Sequence, residues 1–363
     1  MLFTNFYPAI IGCLVTFAIG ALIILTQRWH GRWTHDDHEG VQKFHSHPTP
    51  RIGGLAIVAG AFISVFILDT QFEFLVMSLL VAGLIPFFFG FREDVTKRVS
   101  VRDRLLATMA GAIVAMLLTG QYLHHLDVPY LDAFMTWWPV GALVTVVAIS
   151  GVTNAINILD GFNGLASGTS VVILFFLALI AYHVGDAVLL NLCLMLGSIV
   201  FGFMLLNYPF GKIFLGDAGA YFVGFLVAWI ALLVPMRHEE VSPWASLLVC
   251  AYPVVEVLYS MARRMKAKLK AGQPDNLHLH TLIKTRMVRR YFAFLPNWAK
   301  NALVAPAIWL CSAVLGWVAS AYVKDVPMLA GCFALFVLWY HVTYRFLARL
   351  LEMDNDGNPV NGR

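Results

Sequence analysis

Eleven long apolar runs constrain this chain more than any other feature of its sequence. They are centred near Thr16, Gly60, Leu80, Ile113, Val146, Phe175, Leu196, Phe225, Val249, Trp309 and Leu335. An α-helix needs about 20 apolar residues to cross a bilayer. Hydrophobic residues make up 60% of the chain and charged residues 13%, whereas soluble domains contain about half and a quarter. The sequence therefore predicts an all-α, polytopic integral membrane protein with about 10 or 11 transmembrane helices, in which residues 1–363 form a single transmembrane domain.

The basic residues are distributed unevenly among the segments that join these runs. If the amino terminus lies outside the membrane, all of the 25 lysines and arginines except Arg237 and Lys324 fall on the cytosolic side. An excess of positive charge is typical of cytosolic loops. We therefore expect the amino terminus outside, the carboxyl terminus in the cytosol and a long cytosolic loop at residues 263–300. The lipid bilayer is the expected partner, and this pattern indicates no nucleic-acid partner.

A polar stretch follows the fifth apolar run. Asn154, Asn157 and Asp160 are three residues apart, so they lie near one face of a helix. Amides and carboxylates at the end of a membrane helix are costly unless they face water or a ligand. Asn163 and two glycines complete the stretch. We interpret it either as the wall of a binding site or as a polar cap that packs membrane helices together.

Two other segments carry carboxylates near a helix end. Glu93 and Asp94 are adjacent, and Lys97 follows Glu93 by one helical turn. Such a pair can hold a hard cation or transfer a proton, and it also occurs in ordinary charge clusters at a membrane surface. Asp217 lies between glycines, before a long uncharged run. It suits a Mg²⁺ site, since Mg²⁺ takes only one or two carboxylates, and it also suits the N-cap of the next helix.

Arg51 and two histidines are the remaining candidates for anion binding. Arg51 precedes Gly53 and Gly54 at a predicted helix start, where backbone N–H groups can bind an anion. His278 and His280 alternate, so on an extended strand both would point the same way and could donate to a phosphate. The alternative for Arg51 is a solvated, basic membrane-surface loop, and the alternative for His278 and His280 is a pair of surface histidines. Because all these segments fall on the cytosolic side, we expect cytosolic loops to form one active site.

Together these segments resemble the polyprenyl-phosphate N-acetylhexosamine-1-phosphate transferases of glycosyltransferase family 4. This family includes the phospho-MurNAc-pentapeptide translocase and the enzymes that start O-antigen and teichoic-acid synthesis. The resemblance covers residues 48–283 and is strongest in two motifs. They read Asn154-x-x-Asn157-x-x-Asp160-Gly-x-x-Gly164-Leu and Phe214-Leu-Gly-Asp217-x-Gly219.

The resemblance implies a Mg²⁺-dependent phosphoglycosyltransferase of the bacterial inner membrane, with Mn²⁺ as an alternative ion. A UDP-N-acetylhexosamine would give its sugar 1-phosphate to undecaprenyl phosphate, leaving undecaprenyl-diphospho-sugar and UMP. This step would initiate O-antigen, and hence lipopolysaccharide, or a related cell-envelope glycan. A homodimer is a further expectation.

The resemblance also implies roles for the candidate residues. Asp217 would bind the metal ion, and Asp94 would deprotonate or position the lipid phosphate with support from Glu93. Asp160 would be the third catalytic residue, and it would organise the nucleotide and diphosphate with the neighbouring amides. The substrate-binding residues would be Arg51, Lys97, Asn154, Asn157, Asn163, His278 and His280.

Four positions depart from the usual pattern of this family. Glu93 and Asn163 stand where aspartates are usual, Thr281 replaces the last histidine of His-x-His-His, and Ala220 stands where serine is frequent. The Asn163 position bears on the nucleotide base, and Thr281 favours the O-antigen type of enzyme.

Three alternative functions stay open. They are a peptidoglycan-type transferase, a transporter or lipid flippase with Glu256 as an acid inside a span, and a non-catalytic scaffold.

Overall fold

A computed structural model of the chain describes residues 6–34, 49–67, 70–268, 275–354 and 356–360. Within these ranges the chain is helical and forms no β-strand. The helices are α1 (Tyr7–Thr34), α2 (Gly53–Val65), α3 (Thr70–Thr96), α4 (Val101–Thr119), α5 (Leu131–Met135), α6 (Trp138–Leu159), α7 (Leu165–His183), α8 (Ala187–Asn207), α9 (Gly216–Arg237), α10 (Pro243–Val249), α11 (Ala251–Lys266), α12 (Leu279–Leu282), a π-helical segment (Ile283–Val288), α13 (Arg289–Tyr291), α14 (Asn297–Ala302), α15 (Val304–Ala321) and α16 (Val326–Arg349). The described part of the predicted loop 263–300 is therefore largely made of short helices.

The all-α, polytopic prediction is confirmed, and each predicted span centre falls in a helix. In the described residues, eight helices are long and apolar enough to cross a membrane. The pair α10 and α11, bent by 79°, brings the number to nine if it is counted as one span. The other two predicted centres belong to α2 and α4. Helix α2 has only 13 residues, and α4 begins with the charged residues 102–104. The upper prediction of 11 spans counted both.

Helix α9 is the centre of the bundle. In its most apolar 18-residue window 94% of the residues are buried, compared with 17% for α16 and 28% for α1. A helix that is apolar on all sides is expected to be buried among other helices. Glycines allow this close packing, because a β-carbon at Gly219 would collide with the Gly54 backbone and one at Gly90 would collide with Ala218. Three helices thus meet at the start of α9.

Backbone hydrogen bonds tie the start of α2 to the start of α9. Gly53 and Gly54 donate to the carbonyls of Phe214 and Leu215, each at 3.0 Å, and Phe214 donates to the Pro50 carbonyl at 2.9 Å. This pairing holds the segment before α2 against Asp217. We call this end of the bundle the site end.

The other end of α9 carries a separate ion pair. Arg237, in the last turn of α9, donates to Asp186 at 2.7 Å, and Asp186 caps the start of α8. Twenty residues of helix separate Asp217 from Arg237, which is about 30 Å. We call this the far end.

Candidate active site

Asp217, in the first turn of α9, is the centre of the site. Its carboxylate accepts a hydrogen bond from Arg104 of α4 through Oδ2 and one from the Asn157 amide through Oδ1, at 3.2 Å. The guanidinium of Arg51 lies 3.8 Å from Oδ1. The Asp217 side chain is 14% exposed, so a ligand can reach it. Three segments that are distant in sequence therefore converge on one carboxylate.

Asp94 holds the start of α9 from a neighbouring helix. Its two carboxylate oxygens accept the backbone N–H groups of Asp217 and Ala218, each at 2.9 Å. These N–H groups have no partner within α9, and the N-cap residue Leu215 offers no side-chain acceptor, so Asp94 caps α9 from α3. Asp94 is buried, and Arg51 lies 3.6 Å from its Oδ1. Gly216 is required here, because its φ is +69° and a β-carbon would collide with the Arg51 carbonyl.

Asp160 directly follows α6 and completes the acidic cluster. The Gly216 N–H donates to its carboxylate. Burial raises the pKa of Asp160 to about 8; the Arg51 charge opposes this rise, and the Asp217 and Asp94 charges add to it. At pH 7 such a carboxyl keeps its proton until a cation joins it. The carboxylate site is the name used below for Arg51, Asp94, Arg104, Asp160 and Asp217.

The carboxylate site offers the oxygen ligands that Mg²⁺ and Mn²⁺ prefer. Among the described residues no three His, Cys, Asp or Glu side chains form a complete metal site. Mg²⁺ commonly takes one or two carboxylates and keeps water and phosphate oxygens in its other positions. Burial and the neighbouring carboxylates raise the pKa of Asp160, and a divalent cation beside it would favour its ionised form. Asp217 and Asp160 therefore fit an ion that is shared with a phosphate substrate.

Glu93 lies in the last turn of α3, and Lys97 directly follows this helix. Glu93 accepts the Val99 N–H at 2.7 Å through its side chain and the Lys97 N–H at 2.8 Å through its carbonyl. Lys97 has a φ of +55° and is exposed. Glu93 thus shapes the turn that places Asp94 and Arg104 in the site.

Asn154 and Asn157 are one turn apart on α6 and have different partners. Asn157 contacts Asp217, as described above. Asn154 donates to the Ser150 carbonyl at 2.8 Å and to the Thr108 hydroxyl of α4 at 3.3 Å. The structure therefore brings Asn157 into the carboxylate site, whereas Asn154 packs α6 against α4.

Asn163 and Asn207 join the α6–α7 turn to the α8–α9 loop. Asn163 is buried and donates to the Pro209 carbonyl at 2.8 Å. Asn207 accepts the Gly164 N–H at 2.6 Å and donates to the Ile213 carbonyl at 2.7 Å. The sequence analysis missed Asn207, although an amide at the end of an apolar run was a usable signal.

Arg104 is the second residue that the sequence analysis missed. The sequence predicted roles for Glu93, Asp94 and Lys97 in this segment but none for Arg104. Its contact with Asp217 joins residues 113 positions apart, and no spacing rule predicts such a contact. The available signal was a third charged residue at the start of a membrane helix.

His278 and His280 contact the buried Glu256 rather than the residues of the carboxylate site. The His278 Nδ1 is 2.9 Å from Oε1 of Glu256, and the His280 Nδ1 is 3.5 Å from Oε2. The two rings are stacked with centroids 5.3 Å apart, and the His280 ring meets the Phe162 ring edge-on at 5.5 Å. Burial lowers the pKa of His280 despite the Glu256 charge. A neutral ring is a weaker phosphate ligand than the sequence analysis assumed.

An apolar groove of about 380 Å³ lies between α6, α9 and the bent α10–α11 pair. Its wall includes Gly151 and Val152 of α6, Leu232 of α9 and Val254 of α11. Gly151 lies one turn before Asn154, so the groove approaches the site end along α6. Such walls suit a hydrocarbon chain. The sequence did not predict this groove, because its side chains are of the same type as those that face lipid.

Comparison with known proteins gives independent evidence for the family. Residues 53–234 match the family model described as Glycosyl transferase family 4. A probable undecaprenyl-phosphate N-acetylglucosaminyl 1-phosphate transferase of Bacillus subtilis (strain 168) is 30% identical over 67% of this chain and 68% of its own length. Two undecaprenyl-phosphate alpha-N-acetylglucosaminyl 1-phosphate transferases are also similar. That of Yersinia pestis is 29% identical over 68% of both chains, and that of Escherichia coli (strain K12) is 26% identical over 80% of this chain and 86% of its own. On its motifs, its fold and these relatives, the chain belongs to glycosyl transferase family 4.

Proposed function

We propose that this protein transfers N-acetylglucosamine 1-phosphate from a UDP-linked sugar to undecaprenyl phosphate. The observation that carries the proposal is the convergence of Asp94, Asp160 and Asp217 with Arg51 and Arg104 at one end of the membrane helices. Relatives named for this N-acetylglucosaminyl 1-phosphate transfer support the choice of sugar and lipid. Other N-acetylhexosamines are the neighbouring possibilities that an assay must separate.

The proposed reaction exchanges one phosphate bond for another. An oxygen of the lipid phosphate attacks the phosphorus that carries the sugar, and the bond from that phosphorus to UMP breaks. UMP leaves, and undecaprenyl-diphospho-sugar forms. Both reactants are negatively charged, so the reaction depends on positive groups that are already in place. Arg51 and Arg104 would bind the phosphates and stabilise the charge that moves between them.

Asp217 and Asp160 are the residues that would hold Mg²⁺ or Mn²⁺. When bound, the ion would supply positive charge to the diphosphate. Asp217 is held for this role by Arg104, Asn157 and the cap from Asp94. Asp160 would release its proton as the cation binds, since a ligating carboxylate must be ionised.

Asp94 would position the reaction centre and bind the proton of the lipid phosphate. Its two oxygens align α9 through backbone N–H groups. Each oxygen has a second lone pair, which leaves capacity for a proton or a further hydrogen bond. Glu93 would support Asp94 by closing the turn through Val99.

The apolar groove would hold part of the polyprenyl chain, because it approaches the site end along α6. The charge distribution supports an orientation with the site end and carboxyl terminus in the cytosol and the amino terminus outside. The bacterial relatives support the inner membrane as its location.

The product would enter synthesis of O-antigen or a related cell-envelope glycan. Thr281 supports this over a peptidoglycan-type transferase, and the relatives named for N-acetylglucosaminyl transfer do so too. The family match favours a transferase over a transporter, and Glu256, the acid that motivated the transporter alternative, is bound to His278 and His280.

The test is an assay of purified protein in lipid with undecaprenyl phosphate, Mg²⁺ and a panel of UDP-N-acetylhexosamines. We expect mass spectrometry to detect the undecaprenyl-diphospho-sugar from UDP-N-acetylglucosamine, and UMP in equal amount. Asp217→Asn is the inactive control, and Asp186→Asn at the far end is the matched active control. A wild-type protein that forms no lipid product from any donor of the panel contradicts the proposal.

A further inference from the structure

Glu256 is a buried acid whose contacts nearly all go to one segment of the long loop. The residue is 1% exposed and lies on α11, in the bent span. Its Oε1 accepts from the His278 ring at 2.9 Å and from the Leu279 backbone N–H at 3.2 Å. Its Oε2 lies 3.5 Å from the His280 Nδ1 and accepts from the Tyr252 hydroxyl at 3.2 Å. One carboxylate therefore fixes both histidines and the backbone between them.

The same face of α11 holds the segment at a second point. Glu256, Ser260 and Arg263 are four and three residues apart, so they share one side of the helix. Ser260 donates to the Asp275 carboxylate at 2.8 Å, and Arg263 also binds it. Asp275 in turn lies 3.8 Å from the His278 Nε2. This distance is longer than a hydrogen bond, so Glu256 is the carboxylate that binds the His278 ring directly.

The histidine pair connects Glu256 to the turn that carries Asp160. The His280 ring stacks on His278 and meets the Phe162 ring edge-on. Phe162 is buried and lies two residues after Asp160. A displaced His280 would therefore displace the turn that places Asp160 in the carboxylate site.

The contacts with Glu256 also determine the proton positions on the rings. A carboxylate only accepts hydrogen bonds, so each ring nitrogen that faces it must carry a proton. The His278 Nδ1 lies 2.9 Å from Oε1 of Glu256. The His280 Nδ1 lies 3.5 Å from Oε2 and 3.4 Å from the Tyr252 hydroxyl. Because this hydroxyl donates its own proton to Glu256, it can only accept one from the His280 ring. A carboxylate that sets the tautomer and orientation of an imidazole is a common way to hold a functional histidine. Buried ion networks are, by contrast, a poor source of stability, because their desolvation cost offsets their attraction.

We propose that Glu256 is a positioning residue for the reaction, which fixes the tautomer and orientation of His278 and His280 and, through Phe162, the position of the Asp160 turn. This inference rests on the proposed function, because the position of the turn affects the reaction only if Asp160 takes part in the proposed transfer. Glu256 has no direct contact with the substrates in this role.

The first test reads the tautomers directly and is independent of activity. Full-length protein with ¹⁵N-labelled histidine is placed in lipid nanodiscs, and the His278→Gln and His280→Gln spectra assign the two rings among the 12 histidines. We expect both rings to carry Nδ1–H in the wild type. In Glu256→Gln the amide N–H₂ faces either the His278 ring or the Tyr252 hydroxyl as a donor. A hydroxyl that accepts from this amide is free to donate to His280, so in either case one ring should change to the Nε2–H form. Unchanged tautomers overturn the proposal.

The second test measures transfer by the same protein samples. We expect Glu256→Gln to lower kcat at least tenfold and to change the KM for undecaprenyl phosphate less than threefold. A small displacement of the Asp160 turn should slow the reaction more than it weakens substrate binding. Glu239→Gln, which changes an exposed acid at the far end, should stay within twofold of the wild type. A Glu256→Gln rate within twofold of the wild type overturns the proposal.

A third variant covers the case in which Glu256→Gln does not fold. Phe162→Leu keeps a buried apolar side chain and removes the aromatic contact with His280. We expect a kcat at least tenfold lower with both tautomers unchanged, and a rate within twofold of the wild type overturns the proposal. A wild-type protein without transfer activity would instead refute the proposed function, and the tautomer comparison would still decide the role of Glu256 in holding the histidines.

Discussion

Asp160 and Asp186 are the same side chain at opposite ends of the helix bundle, and their surroundings differ. Asp186 accepts the Leu189 N–H at 3.0 Å and binds Arg237 and His238 at 2.7 and 2.9 Å. Burial opposes its ionisation, but these donors more than compensate and lower the pKa of Asp186. Asp160 lies near two other carboxylates, and burial with their charges raises its pKa to about 8.

The difference distinguishes an acid that stabilises the fold from one that is suited to bind a ligand. Asp186 has its positive partners within the protein, so its charge stabilises the folded state. Arg51 is near all three carboxyl groups of the site, those of Asp160, Asp94 and Asp217. The site therefore has more acidic groups than positive side chains to balance them. Strongly perturbed acids of this kind are typical of functional sites. The predictions below use the two ends as controls for each other.

The largest expected effect is on activity at the site end. We expect Asp217→Asn to lower kcat about a hundredfold or more, because it removes the charge that would hold the metal ion. Asp186→Asn should stay within about twofold, since it lies one helix length away. Initial rates of UMP release measure both. An equal loss of kcat in the two variants would contradict the assignment of the active site to the site end.

The second prediction concerns stability at the far end. Asp186→Ala removes a helix cap and the contacts with Arg237 and His238, so we expect a loss of about 1–2 kcal/mol. Because the folded-state pKa of Asp186 lies below its unfolded value, this contribution is present above pH about 4 and is lost as the pH falls through the folded pKa. Thermal unfolding measured across pH should show the wild type and variant converging in acid. A constant difference would contradict this assignment.

The third prediction concerns metal binding at the site end. Asp160 must lose a proton to bind Mg²⁺, so the rise in melting temperature caused by Mg²⁺ should increase from pH about 6 to pH about 9. Asp160→Asn should give a smaller rise with little dependence on pH. Differential scanning fluorimetry with and without a chelator measures this. A wild-type rise that is equal at both pH values would argue against Asp160 as a ligand.

The smallest expected effect is at Asn163. An aspartate there cannot donate to the Pro209 carbonyl, so Asn163→Asp should cost about 1–2 kcal/mol of stability. Because the Asn163 amide is used in this contact, we expect the preference for UDP-sugars over other nucleotide sugars to change less than threefold. Competition assays with mixed donors measure the preference. A large change would show that Asn163 contacts the base.

The sequence predicted the long membrane helices and the carboxylates at their ends for clear physical reasons. A long apolar run predicts a helix such as α9 without any knowledge of the helices around it. A carboxylate at the start of such a run, as at Asp217, needs a partner in any fold. The partners themselves were not predictable. The contact between Arg104 and Asp217 and the one between Glu256 and His278 depend on how the helices are arranged, which no local spacing encodes. Asn154 and Asn157 share a helical face, yet only the structure separates a packing contact from a site contact.

The most direct test of the central claim follows the phosphate that carries the sugar. UDP-N-acetylglucosamine labelled with ³²P at that phosphate is incubated with purified protein, Mg²⁺ and undecaprenyl phosphate. The account predicts that the label moves to the lipid fraction in the wild type and in Asp186→Asn, and that it stays in the nucleotide with Asp217→Asn. Label that remains in UDP while the sugar reaches the lipid, or label that never leaves the donor, would contradict transfer of a sugar phosphate.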